Sequence, residues 1–289
     1  MEFSGWDAAT VCAKAATYAA TLGAAGAIFF LLYSRGLLHE PQRLRIRRLV
    51  GTLIVASALA SCAKILLSAA SMSGDLAGMF DGGSARMILG AGEGRATGMR
   101  MVGLALAALA VSSNPRFRAP ALLGAATASI SFAGVGHIRA LQSVAPSLLL
   151  SLHLLCAAFW LGALAPLLIA LRDGDDSQIA SIASRFGKFA VGVVLLLMAA
   201  GIGVLWTLIG DAATFWSSDY GRMVALKLFS VAALLSIAAM NKLYLTPQLL
   251  QGDRKALIRF RRSVQTEMII GALILLITAA FTTITGPPH

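Results

Sequence analysis

Acidic residues are scarce in this chain. Its 289 residues hold 13 Asp and Glu against 24 Lys and Arg, and charges of both signs make up 13% of the sequence. A soluble domain carries about 25% charged residues, so a water-facing globule is excluded. Hydrophobic residues reach 58% and mean hydropathy is +0.79, which points to a polytopic membrane protein. Cysteine is also sparse. Cys12, Cys62 and Cys156 are the three, with no CxxC pair among them, which argues against a disulfide framework. No HExxH, GxSxG or phosphate-loop pattern occurs, and no carboxylate cluster. Hydrolase and NTPase chemistry therefore has no support, and we expect a protein that is not an enzyme.

What is there is apolar sequence in long runs. A bilayer takes about 20 apolar residues per helix. Eight candidate spans follow, at roughly 11–33, 49–70, 93–112, 119–138, 147–170, 189–209, 221–243 and 264–284. The fold expected is an all-α polytopic bundle forming a single transmembrane domain over residues 1–289. The N-terminus lacks a basic n-region, with Glu2 and Asp7 ahead of the first run, so it reads as a retained first helix. Gly and other small residues run through the spans, which suits close helix packing.

The formal net charge of +11 comes from where the basic residues lie. Arg35, Arg43, Arg45, Arg47 and Arg48 precede span two. Arg116 and Arg118 precede span four, and Arg172, Arg185 and Lys188 precede span six. Lys242, Arg254, Lys255, Arg259, Arg261 and Arg262 lie between spans seven and eight. All these connections fall on one side. By the positive-inside rule that side is cytoplasmic and both termini are periplasmic. The surplus is thus a topology signal set against membrane lipids, and nucleic-acid binding is not expected. An internal echo also stands out. Gly94-Arg95 leads to Arg100 as Gly221-Arg222 leads to Lys227, both as G-R-x4-[RK] at the start of spans three and seven. It suggests a parallel 4+4 pseudo-repeat with halves 1–138 and 139–289.

Charged groups at membrane depth mark functional candidates. Lys64, Arg100, Lys227 and His153 each lie about 10 Å below the outer surface at 1.5 Å per helical residue. Glu93 sits at the outer mouth of span three and His137 at the outer end of span four. For the long side chains, snorkelling to the headgroups is the competing reading. For the histidines it is a structural hydrogen bond. On the inner half only Asn241 and Glu267 are polar candidates for a path, and Glu267 could equally pair with the basic segment before it.

Histidine, cysteine and methionine are borderline-to-soft donors, and thioether in particular selects Cu(I). His153 and Cys156 are three apart and share a helix face. Cys62 lies at comparable depth, and the outer loop supplies Met72 and Met79. These form a candidate metal layer, with Lys64, Arg100, Lys227 and Glu93 around it. Trp160 reads as packing. One feature opposes a bare cation: the layer is net positive, which would suit haem propionates with His137 or His153 as axial ligand. Copper, more readily Cu(I) than Cu(II), and haem b both remain open at this point.

Several segments together resemble the copper resistance protein D (CopD) family of bacterial inner membranes. They are Gly136-His137, LHLLCAAFWLGALAPL (152–167), YGRMVALKL (220–228), NKLYLTP (241–247) and RRSVQTE (261–267). The resemblance implies a multi-pass inner-membrane protein for copper transport, periplasm to cytoplasm, in copper homeostasis and resistance. It also implies a small periplasmic copper-binding partner of the CopC type, and maps the family histidines onto His137 and His153. The wider grouping is similar to haem-binding membrane oxidases, which implies b-type haem in electron transfer or oxidation as the alternative.

Overall fold

The computed structural model describes residues 5–135, 144–209 and 212–284, without the side chains of residues 85 and 173. All regular structure in these residues is helical. The helices are α1 (Gly5–Tyr33), α2 (Glu40–Ser73), α3 (Gly82–Gly90), α4 (Gly92–Ala107), α5 (Arg118–Ile130) and α6 (Val144–Gly162). They continue as α7 (Leu164–Asp173), α8 (Asp176–Leu208), α9 (Ala212–Ser217), α10 (Asp219–Met240), α11 (Thr246–Leu250) and α12 (Arg254–Ile284).

Seven stretches among the described residues are long and apolar enough to cross a membrane: 5–33, 40–73, 92–111, 144–172, 176–208, 219–250 and 254–284. They correspond to seven of the eight expected spans. The remaining one, expected at 119–138, is represented by α5 and a 3-10 turn at Ser131–Gly134. Its outer end, with Gly136 and His137, lies outside the described residues.

The helix starts differ from expectation in one direction. Helices α2, α8 and α12 begin about ten residues earlier than the apolar runs, so the arginine-rich segments before them are helix rather than loop. Backbone groups near a headgroup region are best satisfied inside a helix, and basic side chains on the projecting turns keep their charge in water. Side-chain caps fix the starts of α8 and α3. Asp175 accepts from the Gln178 N–H at 2.8 Å and the Ser177 hydroxyl at 2.7 Å, which holds its carboxyl below the usual range. Asp81 caps α3 through the N–H groups of Ser84 and Gly83, with the same effect.

Two prolines shape the spans. Pro166 has no N–H for the Gly162 carbonyl, and the fifth expected helix breaks into α6 and α7 at Ala163. Pro247 has none for the Leu243 carbonyl, and the chain passes from α10 to α11 through a π-helical turn at Asn241–Leu245.

Helix α1 lies at the centre and touches α2, α4, α5, α6, α7 and α12. Its Ala24, Ala25, Ala27, Ile28 and Phe30 are fully buried. It crosses α6 where Gly26 meets Gly162. A Cβ on Gly162 would overlap the Leu22 carbonyl and come within 2.8 Å of Gly26 Cα, so the backbones touch directly, as small-residue crossings allow. The outward faces carry Val55, Leu59, Leu195, Ile202, Trp206, Phe229 and Ile269, all more than half exposed. On spans of this length such faces suit lipid.

Candidate functional site

The polar residues expected in one outer layer form two clusters. The first joins α1, α2, α4 and α12. Lys64 Nζ lies 2.6 Å from Glu93 Oε1, with both side chains mostly buried. Lys14 stands within electrostatic reach of both charges and donates to the Thr282 carbonyl at 2.9 Å and the Thr283 hydroxyl at 3.3 Å.

Arg100 is 1% exposed. Its Nε donates to the Ser131 hydroxyl and its Nη1 to the Ser61 hydroxyl, each at 3.2 Å. The guanidinium lies 4.2 Å over the Phe132 ring, which Tyr18 meets edge-on at 4.7 Å. This buried stack rules out snorkelling for Arg100. One turn earlier on the same face, Thr97 Oγ1 is buried without a hydrogen-bond partner. Three cations, Lys14, Lys64 and Arg100, thus face one carboxylate, Glu93.

The second cluster joins α6, α8, α10 and α12. His153 Nδ1 lies 3.2 Å from the Leu197 carbonyl. A carbonyl can only accept, so Nδ1 carries the proton and Nε2 keeps its lone pair. The ring reaches α8 because position 201 is glycine: a Cβ there would stand 3.1 Å from both Nδ1 and Cε1. Lys227 acts electrostatically on His153 and places its Nζ 5.6 Å over the Phe281 ring. Cys156, one turn along α6, is buried, whereas Cys62 and Cys12 are exposed.

The second basic residue of each G-R-x4-[RK] element lies over an aromatic ring. Arg100 over Phe132 beside Tyr18 parallels Lys227 over Phe281 beside Tyr220. Gly94 and Gly221 each press their Cα against a carbonyl of the short helix before them, Leu89 in α3 and Phe215 in α9.

On the opposite half of the bundle, Asn241 Nδ2 donates to Glu267 Oε1 at 2.5 Å in the first turn of the π-helix. Both residues are buried. Asn241 Oδ1 and Ser263 Oγ, a turn before Glu267, are buried without partners. Glu267 therefore takes an amide partner, and no basic side chain pairs with it among the described residues.

The structure does not bring all the sequence-derived donors together. Met72 is on the last turn of α2 and 53% exposed, and Met79 is half-buried in a 3-10 turn. Among the described residues no group of three His, Cys, Asp or Glu is placed to hold a metal ion. His137 lies outside them. Sequence reasoning missed Ser61 and Ser131 as partners of Arg100, and Leu197 and Gly201 as the seat of His153. A serine inside a span is a weak signal for such a role; a leucine carbonyl gives none.

Residues 5–145 match the family described as copper resistance protein D-like, N-terminal domain, and residues 180–281 match copper resistance protein D. The chain is similar to the inner membrane protein YebZ of Escherichia coli (strain K12), 28% identical over 189 residues covering 63% of this chain and 65% of that protein. It is also similar to the copper transport protein CutJ of Bacillus subtilis (strain 168), 24% identical over 159 residues covering 53% of this chain and 28% of that protein. The chain therefore spans less than two thirds of the length of these curated relatives. No solved structure matches it. Two successive family matches, laid over a helical bundle with seven membrane-length spans, make the chain a member of the copper resistance protein D family, an integral protein of the bacterial inner membrane.

Proposed function

We propose that the chain carries copper across the inner membrane, from periplasm to cytoplasm, in copper homeostasis. The observation that supports this best is the seat of His153. Its Nδ1–H is held by a backbone carbonyl, which fixes the tautomer and leaves Nε2 as a metal donor, the usual support for a metal-binding histidine. Cys156 on the same helix adds a soft donor, and His137, on the segment leading into α6, supplies the next. Few, soft donors suit Cu(I).

The basic helix ends support, by the positive-inside rule, an orientation with the His153 and Arg100 half periplasmic. Met72 and Met79 then lie at the outer surface, where a periplasmic copper-binding protein of the CopC type delivers the ion. Asn241 and Glu267 are the polar pair on the inward path. No bond is made or broken in this account, so the protein is a carrier rather than an enzyme.

Radiocopper uptake into proteoliposomes tests it. Uptake is expected with the wild-type chain and is lost in the His137→Ala/His153→Ala double variant; uptake unchanged in that variant overturns the proposal. A second reading, a b-type haem protein, draws on the surplus of cations around Arg100, which suits propionates. A Soret band in the purified protein that disappears in His153→Ala would replace copper carriage with that reading.

A further inference from the structure

At the arginine-rich end of the bundle a cavity of about 200 Å³ opens between the end of α1, the first turns of α2 and the α4–α5 connection. Its polar lining comprises Arg35, Arg43, Arg47, Arg118, Asn114, two serines and a single acid, Glu40. Glu40 is spread between two of the arginines, 3.0 Å from Arg43 Nε and 3.4 Å from Arg47 Nη1. Four guanidinium groups thus line a cavity that holds one carboxylate, and two of them pair with it. The Arg47 side chain is 16% exposed, and its Nε is buried with no hydrogen-bond partner. A buried charged donor left unpaired is costly, and a bound anion would remove that cost.

We propose that this cavity binds the phosphate group of an anionic phospholipid. Guanidinium forks match phosphate oxygens in pairs, which favours phosphate over a simple halide. The concentration of positive charge excludes a copper ion. The volume is below the several hundred Å³ of a site for a drug-sized ligand, yet it admits a headgroup. Leu31, Leu32, Leu109 and Phe117 also line it, so the cavity offers apolar as well as basic contacts. Water-soluble phosphates gain nothing from the apolar contacts, whereas a lipid lays its glycerol and first acyl carbons along them. The site lies at the ends of membrane spans, the depth at which headgroups sit, and basic pockets between spans are a general means of holding them. This inference is independent of copper carriage.

The test uses the full chain in a neutral detergent, followed by thermal unfolding while phosphatidylglycerol, phosphatidylcholine or inorganic phosphate is titrated in. Phosphatidylglycerol is expected to raise Tm saturably, and the other two are not. The Arg47→Gln/Arg118→Gln variant is expected to weaken the apparent affinity for phosphatidylglycerol by about fivefold for each arginine. Glu40→Gln, at a mostly exposed position, retains the fold and is expected to strengthen it. An equal response to phosphatidylcholine, or affinities unchanged in both variants, overturns the site. A response to inorganic phosphate as large as that to the lipid overturns the lipid as its ligand.

Discussion

His153 on α6 holds the Leu197 carbonyl of α8 at 3.2 Å across a gap that Gly201 leaves open. In an α-helix that carbonyl also accepts from the N–H of residue 201. The contact point and the glycine are therefore one turn of one helix, shaped to seat an imidazole. Gly201→Val places two methyl groups where the ring now lies. Loss of such a supporting bond costs about 10- to 100-fold in metal affinity. Competition of the purified variant with a Cu(I) chelator is expected to show a loss in that range, with Gly201→Ala milder because the ring need shift by only a few tenths of an ångström.

Lys64 and Glu93 are a mostly buried pair, with side chains 12% and 21% exposed. Removing one partner leaves a charge with poor solvation, whereas replacing both with apolar groups does not. Glu93→Gln is expected to destabilise the protein by about 1–3 kcal/mol, and Lys64→Met/Glu93→Leu to recover most of it. Thermal unfolding of the single and double variants in detergent measures the coupling. Additive effects would show that the pair contributes nothing jointly.

Arg100 offers a test of shape against charge. Lysine keeps the charge but cannot reach Ser61 and Ser131 at once while stacking on Phe132. Arg100→Lys is expected to cost about 1–3 kcal/mol of stability, read from the unfolding midpoint. A midpoint equal to the wild type would show that only the charge matters there.

The α1–α6 crossing depends on two glycines in contact. Gly162→Ala puts a methyl group onto the Leu22 carbonyl, a backbone atom that cannot move aside as a side chain can. The expected outcome is a loss of monodisperse protein in size-exclusion chromatography, with Gly192→Ala, at a position with open space around it, unaffected.

Much of this architecture was legible in the sequence because hydropathy is a property of each residue alone. Seven of the expected spans stand among the described residues. The small residues that run through the spans pointed to close helix packing, as at the Gly26–Gly162 crossing. What escaped depends on partners far apart in sequence. Nothing in the text of α8 marks the Leu197 carbonyl as the seat of His153. Gln42 and Gln178, which lock α2 to the start of α8 by a 3.0 Å bond, lie 136 residues apart. The basic runs read as loops because charge ends an apolar run; the helices carry their arginines beyond it. The cavity lined by four arginines is likewise unmarked, since Arg35 and Arg118 lie far apart in the chain.

Copper content of the purified protein, measured together with its visible spectrum, tests the central claim most directly. After loading with Cu(I) and removal of excess metal, the account predicts copper near one equivalent per chain, no Soret band, and copper lost in His153→Ala while the variant keeps its fold. Copper retained in full by folded His153→Ala would contradict it.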